Sequence, residues 1–236
     1  MSDPQSARSP FTVMEAGFRI IPGKEGAFFE RQGATVPVAM QQPGFVAVYG
    51  GPIHASTWLY FGVRFASAAD MEAWQHHEYH REVQRMAYEN WWTAVYIRKW
   101  QRIDDSTPAS DRYMCETRVQ RAAPLDATQL AALHASLGAV QEFGARRFET
   151  LTGDHEPHPW HLVGPLEIAP SDGTVLYSLI THWPSVAHAR RWMDSAAYAG
   201  LAEFGRLDSE VFAAMPEPGQ RHGLREDRLQ RQWMLT

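Results

Sequence analysis

Cysteine is nearly missing from this chain. Among 236 residues Cys115 is the one thiol, so no internal disulfide can staple the fold and stability has to come from a core. Lysine is almost as scarce, with Lys24 and Lys99 alone; the remaining positive charge is scattered arginine, and the net charge is −5. That balance argues against the basic face that nucleic acid requires. No apolar run approaches the ~20 residues of a membrane-spanning helix. The opening MSDPQSARSP has no apolar core of the kind a signal peptide carries. A soluble cytoplasmic protein is expected. A phosphate-cradling glycine loop is also missing. Gly50-Gly51 follows a strand-like stretch without a GxGxxG pattern, which argues against a Rossmann nucleotide site.

What is abundant is aromatic and apolar. The hydrophobic fraction is 44%, the aromatic fraction 12%, and nine residues are tryptophan. This suffices for one large domain or two of roughly 100 residues. The tryptophans suggest thick aromatic packing or a pocket for a flat ligand. Two stretches repeat each other. Leu59-Tyr60 leads to Phe65-Ala66-Ser67 and Trp74; Leu176-Tyr177 leads to Trp183-Pro184-Ser185 and Trp192. A strand running into a serine-capped helix with a buried Trp accounts for both. Their separation of 118 residues suggests two copies of one module.

The rest of the chain fits that scheme. Residues 1–10 read as a disordered tail. Phe11 to Ile21 alternates as a strand, and Lys24 to Gln41 reads as a helix despite Pro37. Phe45 to Tyr49 reads as a short strand closed by Gly50-Gly51. In the strong strand Trp58 to Phe65, Leu59, Phe61, Val63 and Phe65 share one face; Trp58, Tyr60, Gly62 and Arg64 share the other. Ser67 and Asp70 resemble a capping box. The helix they open continues to about Asn90, with a break near His77-Glu78, before a strand from Trp91 to Trp100. The order is β-α-β-β-α-β, the ferredoxin-like unit. Residues 11–103 form the first module and 104–111 the linker. Residues 112–236 form the second module, with insertions near 154–172 and 209–226. Within it, strands are expected at Tyr113–Val119, Arg146–Leu151, Leu176–Trp183 and a late Arg228–Leu235, with a helix from Asp126 to about Val140. Helices cover one face of each sheet. The other face carries Trp58, Tyr60, Tyr96 and Trp100, and is removed from water if the two modules pack sheet to sheet. The predicted fold is therefore α+β, an intramolecular two-module barrel.

The segments FRIIPGKEGAFFER (18–31), PGFVAVYGG (43–51), WLYFGVRFASAADMEAW (58–74) and HREVQRMAYENWWTAVY (80–96) resemble the antibiotic biosynthesis monooxygenase superfamily, the dimeric α+β barrel group. In the second module the likeness centres on residues 173–205. The resemblance implies a pocket between sheet and helices, with a Trp on the second helix, an Asn four residues before it and a Tyr six after. Here Trp192 and Tyr198 keep that spacing, and His188 stands for the Asn. In the first module Trp74 is accompanied by Asp70 in the Asn position and His80 in the Tyr position. The implied activity is oxygenation of a small phenolic, anthrone or quinol substrate in aromatic polyketide biosynthesis. The implied partners are that aromatic molecule and dioxygen, with no cofactor or with reduced flavin (FADH2). The first module is the better catalytic candidate, with His80, Trp74, Asp70 and Arg64 as catalytic residues. Trp192, Tyr198, His188, Phe61, Phe65, Trp92 and Arg98 are assigned to substrate binding. A homodimer of the whole chain is left open.

Rivals remain. Haem-degrading members place their ligating His about ten residues after the Trp, where this chain has Gln84 and Ala202. The Asn of their first strand has no counterpart in 11–21, so haem cleavage is not expected. A carrier of hydrophobic metabolite or haem, or a cofactor-free cyclase or isomerase, would use the same pocket. In His76-His77-Glu78-Tyr79-His80, the outer two histidines would share a helix face; without a third ligand they read as solvated or pocket-edge residues. Three histidines in His155 to His161 could chelate Zn²⁺, but two prolines favour a lid or surface loop. No metal is expected. Cys115, in an apolar alternating run, reads as a buried structural thiol.

Overall fold

The computed structural model describes residues 11–54, 56–104, 107–145, 160–163 and 174–215. The first half runs β1 (Thr12–Ile20), α1 (Glu25–Met40), β2 (Phe45–Pro52), β3 (Leu59–Phe65), α2 (Ala68–His76), α3 (Glu78–Asn90) and β4 (Trp92–Arg102). The second runs β5 (Tyr113–Arg121), α4 (Ala127–Leu137), β6 (Trp160–Val163), β7 (Val175–Trp183), α5 (Val186–Met193), α6 (Ala196–Gly200) and β8 (Arg206–Ala214), with 3₁₀ turns after α4 and α6. None of these helices is long and apolar enough to cross a membrane.

The strands form one antiparallel sheet in the order β2-β3-β1-β4-β8-β5-β7-β6. Each half contributes four strands in the same relative order. The halves join where Trp100–Arg102 of β4 pairs with Phe212–Ala214 of β8. Two separate packed sheets were expected; the hydrogen bonding makes them continuous. The sheet nevertheless closes on itself. β2 and β5 are five strand spacings apart, about 24 Å in a flat sheet, yet the Tyr49 hydroxyl of β2 donates to Glu116 of β5 at 2.6 Å. Only strong curling brings them together. One face therefore becomes an interior shared by both halves, where Tyr60, Tyr96 and Trp100 meet Met114, Ile180 and Phe212. The helices cover the outer face.

Alternation along β3 divides as the sequence predicts. Phe61, Val63 and Phe65 face the helices, whereas Trp58 and Tyr60 join the interior cluster. Two glycines make that interior possible. Gly17 lies opposite Tyr96 and Gly62 opposite Tyr49. A Cβ added at Gly17 would meet the Tyr96 ring at 2.1 Å, and one at Gly62 would meet the Tyr49 ring at 2.5 Å. Each ring lies against a bare backbone, which leaves room for the opposite wall.

Three boundaries differ from expectation. β2 continues through Gly50-Gly51 because β3 pairs with it as far as Pro52. The closing strand is β8 at Arg206–Ala214, paired with both β4 and β5. It overlaps the insertion expected near 209–226, and the strand expected at 228–235 lies outside the described residues. The short strand expected at 146–151 also lies outside them; the edge position beside β7 is held by Trp160–Val163. The insertion expected at 154–172 is described only over those four residues.

Candidate active site

The helical layer of the first half encloses a small cavity of about 60 Å³. β1, β2, β3 and β4 supply its apolar floor, including Met14, Phe61 and Trp92. α1 covers it with Gln32, Thr35, Val36 and Ala39. Trp74 of α2 and His80, Val83 and Gln84 of α3 form its wall. The sheet side is thus apolar, and the polar groups come from the helices.

Local sequence explains how that wall is set. Ser67 caps α2, its hydroxyl accepting from the Asp70 N–H at 3.1 Å and donating to the Asp70 carboxylate at 2.6 Å. At His77 (φ −58°, ψ 132°) the helical path breaks, and α3 begins one residue later. The break turns His80 inward. Its ring stacks on the Trp74 indole, centroids 4.4 Å apart and planes 12° apart. The Trp74 carbonyl, 3.1 Å from His80 Nδ1, can only accept, so the proton sits on Nδ1 and the lone pair on Nε2. Gln84 Nε2 lies 3.4 Å from that lone pair and is placed to donate to it. Histidine 76, by contrast, ends α2, is exposed and faces Glu72. Because of the break, His76 and His80 do not share one continuous helix, and the pair expected from their spacing does not form.

The sequence-predicted residues of the first half therefore separate into three groups. Trp74, His80, Phe61 and Trp92 line the cavity, and Phe65 packs behind it with Trp74 and Met71. Asp70 works at the α2 cap and does not line the cavity. Its carboxylate also lies close over Gly44, whose φ is 71°.

Arg64 and Arg98 point to the other side of the sheet. Arg64 lies 2.9 Å from Glu116 and 2.8 Å from Glu210, almost wholly enclosed. Arg98 stands 3.7 Å from Glu15 and over the Tyr96 ring at 4.2 Å. Neither reaches the Trp74 cavity, because arginines at these positions follow the interior-facing alternation of β3 and β4. Glu15 also accepts from the Trp100 indole N–H at 2.7 Å and lies 3.8 Å from His182 Nε2. Burial raises the Glu15 carboxyl above its ordinary 4.5 despite Arg98 and the indole bond. Burial pushes Glu116 the same way, but Arg64, Arg118 and the Tyr49 hydroxyl outweigh it and hold the carboxyl low.

In the second half the described residues of the equivalent layer form a packed cluster. Trp192 lies 5.6 Å from Trp183 and edge-on to Tyr198 at 4.9 Å, within a cluster with Leu133, Leu137 and Val140. His188 is engaged at the α5 cap, its Nδ1 2.7 Å from the Ser185 hydroxyl, the same station that Asp70 holds in α2. The Tyr198 hydroxyl meets Ser209 at 2.6 Å, and burial raises its phenol above the ordinary value. Cys115 is fully buried, and burial pushes its thiol up to about 12, as a structural thiol requires.

Sequence reasoning missed Gln84, Gln32 and Thr35. Gln84 is legible afterwards as the residue one helical turn beyond His80. Gln32 and Thr35 share a face of α1. Among the described residues, no group of three or more His, Cys, Asp or Glu is placed to hold a metal ion.

No protein-family model and no curated protein matches the chain. Its fold is similar to solved structures. An aldoxime dehydratase in complex with butyraldoxime aligns with TM-score 0.50 and 9% identity over 87% of this chain and 79% of that one. A second aldoxime dehydratase gives 0.50 and 10%, over 87% and 81%. An anthrone oxidase-like protein gives 0.37 and 14%, over 89% and 92%. The class that the two aldoxime dehydratase likenesses define is structural: an α+β protein built on a curled antiparallel sheet.

Proposed function

We propose that the protein is an oxygenase acting on a small phenolic, anthrone or quinol substrate, as its resemblance to the antibiotic biosynthesis monooxygenase superfamily implies. In this reading residues 11–103 and 112–236 are ferredoxin-like modules joined by 104–111, and one chain provides the two-module barrel. The reaction belongs to the first half. The observation that carries the reading is the His80–Trp74 pair, a buried imidazole whose basic nitrogen is fixed beside an aromatic-lined cavity.

The chemistry follows from that geometry. His80 Nε2 takes a proton from the substrate as general base, while Nδ1–H stays bonded to the Trp74 carbonyl and shares the positive charge that forms. The electron-rich anion passes an electron to dioxygen, the two radicals join as a peroxide anion that takes the proton back from His80 to become a hydroperoxide, and loss of water leaves a carbonyl. For a methylene carbon the balance is CH₂ + O₂ → C=O + H₂O. Trp74, Phe61 and Trp92 exclude water and hold the ring.

Reduced flavin has no part in this proposal. Among the described residues, no positively charged side chain lines the cavity to hold a pyrophosphate. The substrate itself therefore serves as the reductant in this proposal. A polycyclic ligand enters when α1 moves outward.

Oxygen uptake with a panel of anthrones and dihydroxynaphthalenes tests the reading. The expected result is flavin-independent uptake. His80→Ala should lower kcat by about 10²- to 10⁴-fold, the range of a lost general base, with a smaller effect on affinity, whereas Trp74→Phe should weaken both. Saturable binding without uptake would make the protein a carrier, and a product of unchanged oxidation state would make it an isomerase. Equal, small effects of both substitutions would return the pair to a packing role.

A further inference from the structure

His80 Nε2 and Gln84 Nε2 are 3.4 Å apart, one turn of α3 from each other, and both side chains line the cavity. They are unlike partners. The His80 nitrogen accepts, because Nδ1 keeps the proton for the Trp74 carbonyl, while the Gln84 amide nitrogen donates. At 3.4 Å their own hydrogen bond is long for an N–H donor, whose usual distance is about 2.9–3.0 Å. The amide therefore gives up little when a better acceptor arrives.

Resting on the function proposed above, we propose that Gln84 is a specificity-determining residue that reads a second substrate oxygen beside the ionising hydroxyl. Two neighbouring oxygens on an aromatic ring stand ~2.5–3 Å apart, close to the O–H···O range, so two nearly parallel bonds can reach them from nitrogens 3.4 Å apart. His80 Nε2 accepts from the acidic hydroxyl. The Gln84 amide leaves His80 and donates to the adjacent oxygen, where negative charge gathers once the proton has moved. The rest of the cavity agrees with this orientation. Met14, Phe61 and Trp92 offer the ring an apolar floor, and the polar wall lies on the helix side. The ligand class is an aromatic with two adjacent oxygen substituents, at least one a hydroxyl. Isolated phenols satisfy His80 and offer the displaced Gln84 amide no second oxygen.

The isomers 2,3- and 2,7-dihydroxynaphthalene separate the two halves of this statement, since they match in size and differ in the spacing of their oxygens. Under anaerobic conditions their intrinsic fluorescence reports binding without turnover. The wild-type protein should bind the 2,3 isomer about tenfold more tightly, the worth of one added hydrogen bond to a partly charged acceptor. Gln84→Met, nearly isosteric, should abolish that preference and leave the affinity for the 2,7 isomer within twofold. Gln84→Glu replaces the donor with an acceptor and should weaken the 2,3 isomer further; it also serves if the Met variant folds poorly. Equal binding of both isomers by the wild type, or a preference that survives Gln84→Met, overturns the role of Gln84 alone. Failure of both isomers to bind overturns the phenol-binding cavity and this inference with it.

Discussion

Arg64 shows how strongly one position on a strand decides what a residue can do. Its neighbours Val63 and Phe65 face the helices, so Arg64 faces the shared interior, where it holds Glu116 and Glu210 across the junction of the halves. Its guanidinium also lies over the Phe11 ring at 4.8 Å. An arginine with two buried carboxylates is a structural element: truncating it takes the guanidinium from Glu116, while Glu210 keeps Arg118 at 2.9 Å. Arg64→Met should cost about 3–5 kcal/mol of stability, read by urea unfolding. Oxygen uptake per folded molecule should stay within twofold. Loss of uptake at full stability would restore Arg64 to the catalytic group that its sequence position suggested. Asp70 and His188 teach the same lesson on helices: both occupy a cap station, each bonded to a serine hydroxyl, and spacing alone cannot distinguish a cap from a ligand contact.

Among the elements, α1 covers the cavity with few buried residues and is well placed to move. Only Phe28, Thr35 and Ala39 of its 16 residues are buried. Pro37 lies inside it, removing one backbone donor, and Gly33 adds backbone freedom. It also covers the cavity, so the element that must shift for a multi-ring ligand is one held by few buried residues. A methyl group at Gly33 would meet nothing within 4 Å. Gly33→Ala should therefore stabilise the protein by about 0.5–1 kcal/mol and slow the entry of a three-ring ligand in stopped-flow binding. Faster or unchanged entry would show that access does not run past α1. The contrast with the second half is one of filling. There Trp183, Trp192, Leu133 and Leu137 occupy the same layer as a packed core.

At the scale of the whole molecule, the interior pairs carry the relation between the halves. Arg64 of β3 meets Glu116 of β5, and His182 of β7 meets Glu15 of β1. Counted along the chain, His182 follows Arg64 by the 118 residues that separate Trp192 from Trp74. Each half thus sends a residue from its third strand to a glutamate on the first strand of the other. The two glutamates respond oppositely to pH. Glu116 is held below 4.5, so its contribution is complete above that value and is lost as pH falls. Glu15 lies above 4.5, so its contribution is complete below that value and is lost as pH rises toward its folded value. Thermal unfolding measured on both sides of 4.5 should show Glu116→Gln flattening the acid-side loss and Glu15→Gln flattening the decline on the other side. Identical profiles for both variants would mean that neither carboxyl couples folding to protons.

The sequence by itself determined the local structure. Alternation marked β1, β3, β5 and β7, Ser67 and Ser185 marked the starts of α2 and α5, the repeated spacing brought out Trp74, and the family resemblance pointed to His80. Each of these signals lies within a few residues along the chain, where backbone period and capping act. The tertiary structure decided what depends on strands distant in sequence. It made one continuous sheet through β4 and β8, closed the second half with Arg206–Ala214, turned Arg64 and Arg98 to the interior, and brought Gln84 and α1 over the cavity of the first half. Those outcomes come from curling and from side-chain volume, and neither has a periodicity that a single strand or helix can display.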